Sequence, residues 1–281
     1  MSLAGASKIK CGSFDLDYSN KTLIMGILNV TPDSFSDGGK YNRIDAALKH
    51  AERMVNDGAD ILDVGGESTR PNYERISDEE EIERVAPIIE AISRNIEVPI
   101  SVDTYKSRVA EAAVKAGAHI LNDIWGGKAD SLMSKVAAEY KVPIILMHNR
   151  GNMEYGHFVR DVLQDLFESI MLVKDAGVKD ENIILDPGIG FAKDLRLNLE
   201  MMRNLDKLVS LGYPVLLATS RKSMIGHILD LPPSERMEGT AATICHGIQQ
   251  GCQMVRVHDV KEMARTAKMM DALLGKGEGN G

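Results

Sequence analysis

Chemically capable side chains stand where the chain's apolar runs end: Asn29, Asp63, Asp103, Asn122, Met147 with His148, Asp186, Lys222, then Arg256 with His258. Each follows several apolar residues, and the set carries both signs of charge. A core has no use for so many charged groups, because unpaired burial costs several kcal/mol each. Structural ion pairs could explain one of them but not the whole ring. Asp103, Asn122 and Asp186 offer planar acceptors, with one amide that also donates. A carboxylate takes two parallel N–H bonds from an N–C–N edge, as it does from guanidinium. The set therefore suits a flat heterocycle with an amino-amidine edge. Lys222, arriving after "LLATSR", can donate to a ring carbonyl or nitrogen. Arg256 and His258 are two apart and share one face of an extended strand, a pairing fit for phosphate oxygens. Asn29 is a neutral oxygen ligand, suited to Mg²⁺ that also carries a diphosphate.

A second kind of signal lies in "MGILNVTPDSFSDGG", residues 25–39. It begins as an apolar run fit for a buried strand. It then becomes a loop of small polar residues with Pro32, two acids, Gly38 and Gly39, and a lone Phe35 in the middle. A greasy aromatic there calls for a partner that covers it.

These residues need elements to position them. Eight short apolar runs recur: "TLIMGILNV", "ADILDVGG", "VPISVDT", "AHILNDI", "VPIILMH", "NIILDPGIG", "YPVLLATSR" and "QMVRVHD". Between them, segments such as "IDAALKHAERMVNDG", "DEEEIERVAPIIEAI", "RVAEAAVKAG" and "VKEMARTAKMMDALL" carry apolar residues at helical spacing, often ending in Gly. Strands apolar on nearly every residue belong to a parallel sheet covered on both faces. About eight strand–helix units close a (β/α)8 barrel, whose functional groups gather at the strands' carboxyl ends. A doubly wound open sheet is the alternative, but neither Gly-x-Gly-x-x-Gly nor a Walker loop stands where it would need one. "IKCGSFDLDYS" precedes the first strand and reads as a short β-hairpin closing the barrel's base. No linker or repeat divides residues 1–281, so one domain is expected, with 1–7 and 275–281 as flexible tails.

Thirty-three Lys and Arg against 41 Asp and Glu give a net charge of −8, which argues against a nucleic-acid surface. Three cysteines without metal-ligand spacing suit a reducing compartment; Cys245 and Cys252 are expected on a helix facing the core. No run approaches the roughly 18 apolar residues of a membrane span. The expected setting is cytoplasmic, without a membrane partner.

Taken in order, the motifs resemble the dihydropteroate synthase family of folate biosynthesis. "MGILNVTPDSFSDGG" is similar to its first signature and "ILDVGGESTRPN" to its second. "VDT", "NDI", "LDPGIGF", "SRKS" and "RVHDV" follow in family order on successive strand ends. The resemblance runs from about residue 20 to 275 and shows no departure at these motifs.

The resemblance implies a reaction that joins p-aminobenzoate to 6-hydroxymethyl-7,8-dihydropterin diphosphate, releasing diphosphate. By it, Asp186 holds the pterin's amino and N3–H edge, with Asn122 and Asp103 along the adjoining nitrogens. Lys222 contacts the carbonyl side, while Phe191, Met147 and Ile124 line the slot. Arg256, His258 and Asn29 grip the diphosphate, Asn29 through Mg²⁺. Phe35, Asp37, Thr69, Arg70, Pro71 and Ser223 shape the p-aminobenzoate site. Thr69 and Arg70 also meet the departing diphosphate.

Phe35 then has a use: a loop that folds down would wall the aryl amine and exclude water, with Asp37 stabilising the positive carbon. The resemblance also implies a homodimer through late helices, and a family that is the target of sulfonamides, mimics of p-aminobenzoate. A methyltransferase using methyltetrahydrofolate would share the Asp/Asn/Asp set, but it has no diphosphate for Arg256 and His258 to hold. A non-catalytic paralogue should show erosion of the first two loops, which are intact in sequence.

Overall fold

The computed structural model describes residues 7–31, 40–67 and 75–277. Eight parallel strands, β3 (Leu23–Asn29), β4 (Ile61–Gly65), β5 (Ile100–Asp103), β6 (Ile120–Asp123), β7 (Ile144–Met147), β8 (Ile183–Asp186), β9 (Leu216–Leu217) and β10 (Met254–Val257), run in spatial order β8-β7-β6-β5-β4-β3-β10-β9. A parallel bridge between Leu185 and Val215 joins the two ends, and the Leu185 N–H donates to Pro214 O at 2.9 Å. The ring closes as the expected barrel, and the open sheet is excluded. Two strands, β1 (Lys8–Cys11) and β2 (Phe14–Asp17), form the antiparallel hairpin.

Side chains alternate along a strand, so one parity of each strand faces the lumen. Leu23, Met25, Ile61, Ile120, Ile145, Ile184, Leu216 and Met254 pack into one cluster with Ile9, Cys11 and Leu16 of the hairpin. That cluster is the lumen's lower layer, and the hairpin plugs it from below. A second, larger cluster fills the space between the sheet and its helices, with Ile24, Leu62, Val64, Val102, Leu146 and Leu185 from the opposite parity. Burial on both faces is why the strands read as continuous apolar runs.

The helices are α1 (Lys40–Asn56), α2 (Asp78–Asn95), α3 (Ser107–Ala116), α4 (Met133–Tyr140), α5 (Phe158–Asp175), α6 (Leu195–Met202), α7 (Leu205–Val209), α8 (Ser223–Leu229), α9 (Met237–Gln249) and α10 (Val260–Leu273). Four acids fill the first turn of α2, and the Ser77 hydroxyl caps it by accepting from the Glu80 N–H at 3.1 Å. Two helices instead of one follow both β8 and β9. Asp230 ends α8 in the left-handed region at φ 55, and Pro232 and Pro233 separate it from α9.

Cys252 corrects one expectation: it lies buried in the turn between α9 and β10, not on the helix, and all three cysteines are free. In the described part of the segment expected as a tail, Lys276 ion-pairs with Asp271 at 3.1 Å. Asp271 in turn accepts from the Thr22 N–H and hydroxyl at 2.6 and 2.7 Å.

Candidate functional site

Continuing the lumen parity upward past the apolar layer gives the site. From Met25 the inward positions of β3 lead through Ile27 to Asn29, and from Ile61 those of β4 lead to Asp63 and Gly65. Likewise Ile120 leads to Asn122, Ile145 to Met147, Ile184 to Asp186, and Met254 to Arg256. The hydrogen-bonded register sets Asn29 opposite Gly65, Gly65 opposite Asp103, and Asp103 opposite Asn122. Met147 stands opposite Asp186. A Cβ on Gly65 would lie 3.6 Å from both Asn29 Oδ1 and Asp103 Cβ, so these two residues flank it. Period-two alternation thus turns the top of an apolar lumen into a polar ring.

Arg256 spans the ring. Its Nε donates to Asp63 Oδ2 at 2.6 Å and its Nη2 to Asp103 Oδ2 at 2.7 Å. Asn122 Nδ2 also donates to Asp63 Oδ2, at 3.1 Å. Asp63 is fully buried and Asp103 nearly so, and among the described residues their other oxygens, Oδ1 in each, have no hydrogen-bond partner. Buried polar atoms are ordinarily satisfied, so orphaned acceptors on one ring ask for donors from a ligand.

Burial raises the Asp103 carboxyl to about 7, with Arg256 opposing. Burial likewise raises Asp186 to about 6, against the pull of the Gly188 N–H and of Lys222, Arg256 and Lys193. Asp186 Oδ1 accepts from the Gly188 N–H at 2.7 Å, which fixes the carboxylate's orientation.

Lys222 caps the start of α8, and its ammonium sits 4.4 Å from the centroid of the Phe191 ring. Burial lowers it to about 8; Arg256 adds to that, while Asp186 and Asp103 oppose it. His258 is the first residue beyond β10. Its Nδ1 lies 2.9 Å from the Ser220 hydroxyl oxygen, which also accepts from the His258 N–H at 3.1 Å. Burial, then Arg256 and Arg221, push its imidazole down to about 4, so it is neutral at physiological pH. Between Ser220 and Lys222, Arg221 holds φ 57 with a bidentate pair to Asp259. A non-glycine residue in that region needs such support.

Asp103, Asn122, Met147, Asp186, Phe191, Lys222, Arg256, His258 and Asn29 therefore meet at one rim. Ile124 is half-buried just past β6, and Ser223 is the exposed first residue of α8. Phe35, Asp37, Thr69, Arg70 and Pro71 lie outside the described residues. The Arg256 guanidinium, expected on phosphate, is engaged by two aspartates. Two polar residues of the site have no assigned role in the sequence reading: Asp63, which stands in the ring, and Lys193. The inward parity it shares with Ile61 could have flagged Asp63; no local signal marks Lys193.

Fold and rim define a class: a (β/α)8 barrel that seats a polar, donor-rich ligand over the carboxyl ends of its strands. A family model described as "Pterin binding enzyme" matches residues 25–258. A dihydropteroate synthase of Bacillus subtilis is 63% identical over 262 residues, 93% of this chain and 92% of that one. A Clostridium difficile dihydropteroate synthase solved in the presence of pteroic acid superposes with a TM-score of 0.90 at 48% identity, covering 92% of this chain and 98% of its own. One from Xanthomonas albilineans with 4-aminobenzoic acid gives 0.91 at 37% identity, covering 96% and 98%. The chain belongs to the pterin-binding enzymes and, among them, to the dihydropteroate synthase family.

Proposed function

We propose that the protein is an enzyme of folate biosynthesis that condenses p-aminobenzoate with 6-hydroxymethyl-7,8-dihydropterin diphosphate, giving 7,8-dihydropteroate and diphosphate. The observation that carries this reading is one rim holding polar groups for a pterin (Asp103, Asn122, Asp186, Lys222) beside Arg256 and His258 for a diphosphate. The bicycle's amino and N3–H edge donates to Asp186, its adjoining nitrogens meet Asn122 and Asp103, and Lys222 reaches the carbonyl side. Met147, Ile124 and Phe191 wall the ring.

The C–O bond to diphosphate breaks first, and its electron pair leaves with the phosphate. The cation left on the methylene carbon is delocalised into the pterin. The amine nitrogen of p-aminobenzoate then attacks that carbon and loses a proton. Arg256 and the neutral His258 donate to the leaving group's growing charge. By the resemblance, Ser223 belongs to the p-aminobenzoate site. Phe35, Asp37, Thr69, Arg70 and Pro71, which lie outside the described residues, are assigned to it as well, Asp37 to stabilise the cationic carbon by its charge.

Mg²⁺ fits as an ion carried by the diphosphate. Among the described residues no group of three or more His, Cys, Asp or Glu could hold a metal. Asn29 is exposed at the end of β3, and its side chain offers a neutral oxygen. Mg²⁺ in such sites keeps several waters and binds through phosphates. Bound there, it would neutralise part of the leaving group's charge.

Association as a homodimer through the late helices accords with Met237, Met269 and Leu273, which are exposed on α9 and α10. No helix among the described residues is long and apolar enough to cross a membrane; a cytoplasmic setting accords with the free cysteines.

Mixing the protein with pterin diphosphate, p-aminobenzoate and Mg²⁺ is expected to release diphosphate stoichiometrically with dihydropteroate. Pterin binding without diphosphate release would refute the reading.

A pH profile follows from the rim. Asp103 and Asp186 must be carboxylates to accept N–H bonds, so activity present at higher pH is lost as pH falls through about 7 and then about 6. Lys222 must be an ammonium to donate, so activity is lost as pH rises through about 8. Initial rates between pH ~5 and ~9 should give a bell in kcat/KM, which reports the free enzyme's groups. A flat profile would remove these assignments.

A further inference from the structure

Lys193 is a lysine with only 7% exposure, and it meets the substrate-assigned rim through the backbone carbonyl of Phe191. Its ammonium has three donors, and the structure gives it three acceptors. Nζ lies 2.9 Å from Gly188 O, 3.0 Å from Phe191 O and 2.8 Å from His148 Nδ1. The first two carbonyls belong to the loop between β8 and α6, the segment that presents Asp186 and Phe191. The third acceptor ties that loop to the end of β7. Since Nδ1 accepts, His148 carries its proton on Nε2 and donates it to Asp165 Oδ2 at 3.0 Å. Arg150 holds Asp165 from the far side.

The loop needs this support because its backbone is irregular. Gly188 has φ +65, and a Cβ added there would stand 1.9 Å from His148 O. Ala192 is left-handed at φ 46. Tyr155 OH donates to Ala192 O at 2.8 Å, and Asn198 accepts from the Gly190 N–H at 2.7 Å. Lys193 adds bonds to the Gly188 and Phe191 carbonyls, and the Gly188 N–H it helps to place is the one that orients Asp186.

We propose that Lys193 is a positioning residue for pterin recognition: its ammonium locks the loop after β8 through His148, so that Asp186 and Phe191 are held ready for the ring. With all three donors engaged it acts through the loop and not on the substrate. Its charge also lies within reach of Asp186. Together with the Gly188 N–H, Lys222 and Arg256, it draws that carboxyl down against burial. Burial in turn lowers Lys193 itself to about 7.

The inference rests on the pterin reading, and the test separates the two. Pterin diphosphate is titrated calorimetrically into the wild type and Lys193→Met across the pH range. Wild-type binding checks the reading; the difference between the proteins checks Lys193. The variant is expected to bind at least ~10-fold more weakly, the scale of a lost hydrogen bond to a charged group. The acid limb of its affinity should also move to higher pH, which loosened packing alone would not cause. Should Lys193→Met fail to fold, His148→Leu leaves the ammonium two acceptors and is expected to weaken binding similarly. A folded variant with unchanged affinity and unchanged acid limb would overturn the proposal.

Discussion

Asp186→Asn is expected to abolish binding of the pterin substrate while leaving the fold intact. An amide swap is often tolerated because the side chain flips to offer its oxygen. Here the flip is blocked. Asp186 Oδ1 already accepts from the Gly188 N–H at 2.7 Å, within a loop whose other bonds are satisfied. The asparagine oxygen keeps that contact, so its NH₂ must face the ring's own N–H. A charge-assisted bond is lost and a buried donor is left facing a donor, each worth about 1.5–3 kcal/mol. Their sum corresponds to roughly 10²–10⁴-fold in affinity.

Stability should not fall with it. Burial raises the Asp186 carboxyl to about 6 in the folded protein. A carboxyl with a raised folded value costs stability as pH rises from the ordinary carboxylate range through about 6, so a neutral amide relieves that cost at neutral pH. Calorimetry with pterin diphosphate, alongside a thermal melt, checks both halves. Normal affinity in the variant would remove Asp186 from pterin recognition.

The same residue shows why so much of the rim was legible in the sequence. Asp186, Asn122, Met147 and Asn29 each close an apolar run, and alternation alone carries them to the lumen side. Barrel topology then brings the run ends together. The sequence also exposed the hairpin, since "IKCGSFDLDYS" has room for two short strands and little else. What it could not convey is which polar groups meet across the lumen. Arg256 and Asp63 are separated by 193 positions, and their contact depends on strand order and tilt. Arg256 therefore read as a free cation for phosphate, when in the structure two carboxylates hold it.

Lys193 was silent for a related reason. In "GFAKDLRLN" it resembles any surface lysine before a helix, and it is the loop with left-handed turns at Gly188, Gly190 and Ala192 that brings its ammonium inward. The doubled helix after β8 was hidden because its amphipathic pattern runs on across the break, whereas the break after β9 is marked by Pro232 and Pro233. "LEMMRNLDKLV" shows no stop signal at Asn204, where the backbone leaves the helix at φ −123.

Arg256→Met is expected to lower turnover about 100-fold, the usual cost of removing one donor from a site where charge develops. Two consequences of the structure sharpen this. First, Asp63 and Asp103 share the guanidinium as their only cationic hydrogen-bond partner among the described residues, at 2.6 and 2.7 Å. Removing one partner of a buried pair costs several kcal/mol, because the charge left behind is unsolvated. The variant should therefore melt at lower temperature, and its rate must be expressed per folded molecule.

Second, Arg256 is the chief influence holding the Asp103 carboxyl down against burial. Without it that group shifts further up from about 7, so Asp103 takes a proton at neutral pH and the acid limb of the rate moves upward. Asp63→Asn serves as the control. It loosens the guanidinium yet keeps it present, and should lower thermal stability while retaining most of the turnover. Diphosphate release by both variants, followed across pH, separates the roles. A folded Arg256→Met protein with wild-type turnover would mean that the arginine serves only to neutralise the two aspartates. The growing charge on the leaving diphosphate would then fall to His258.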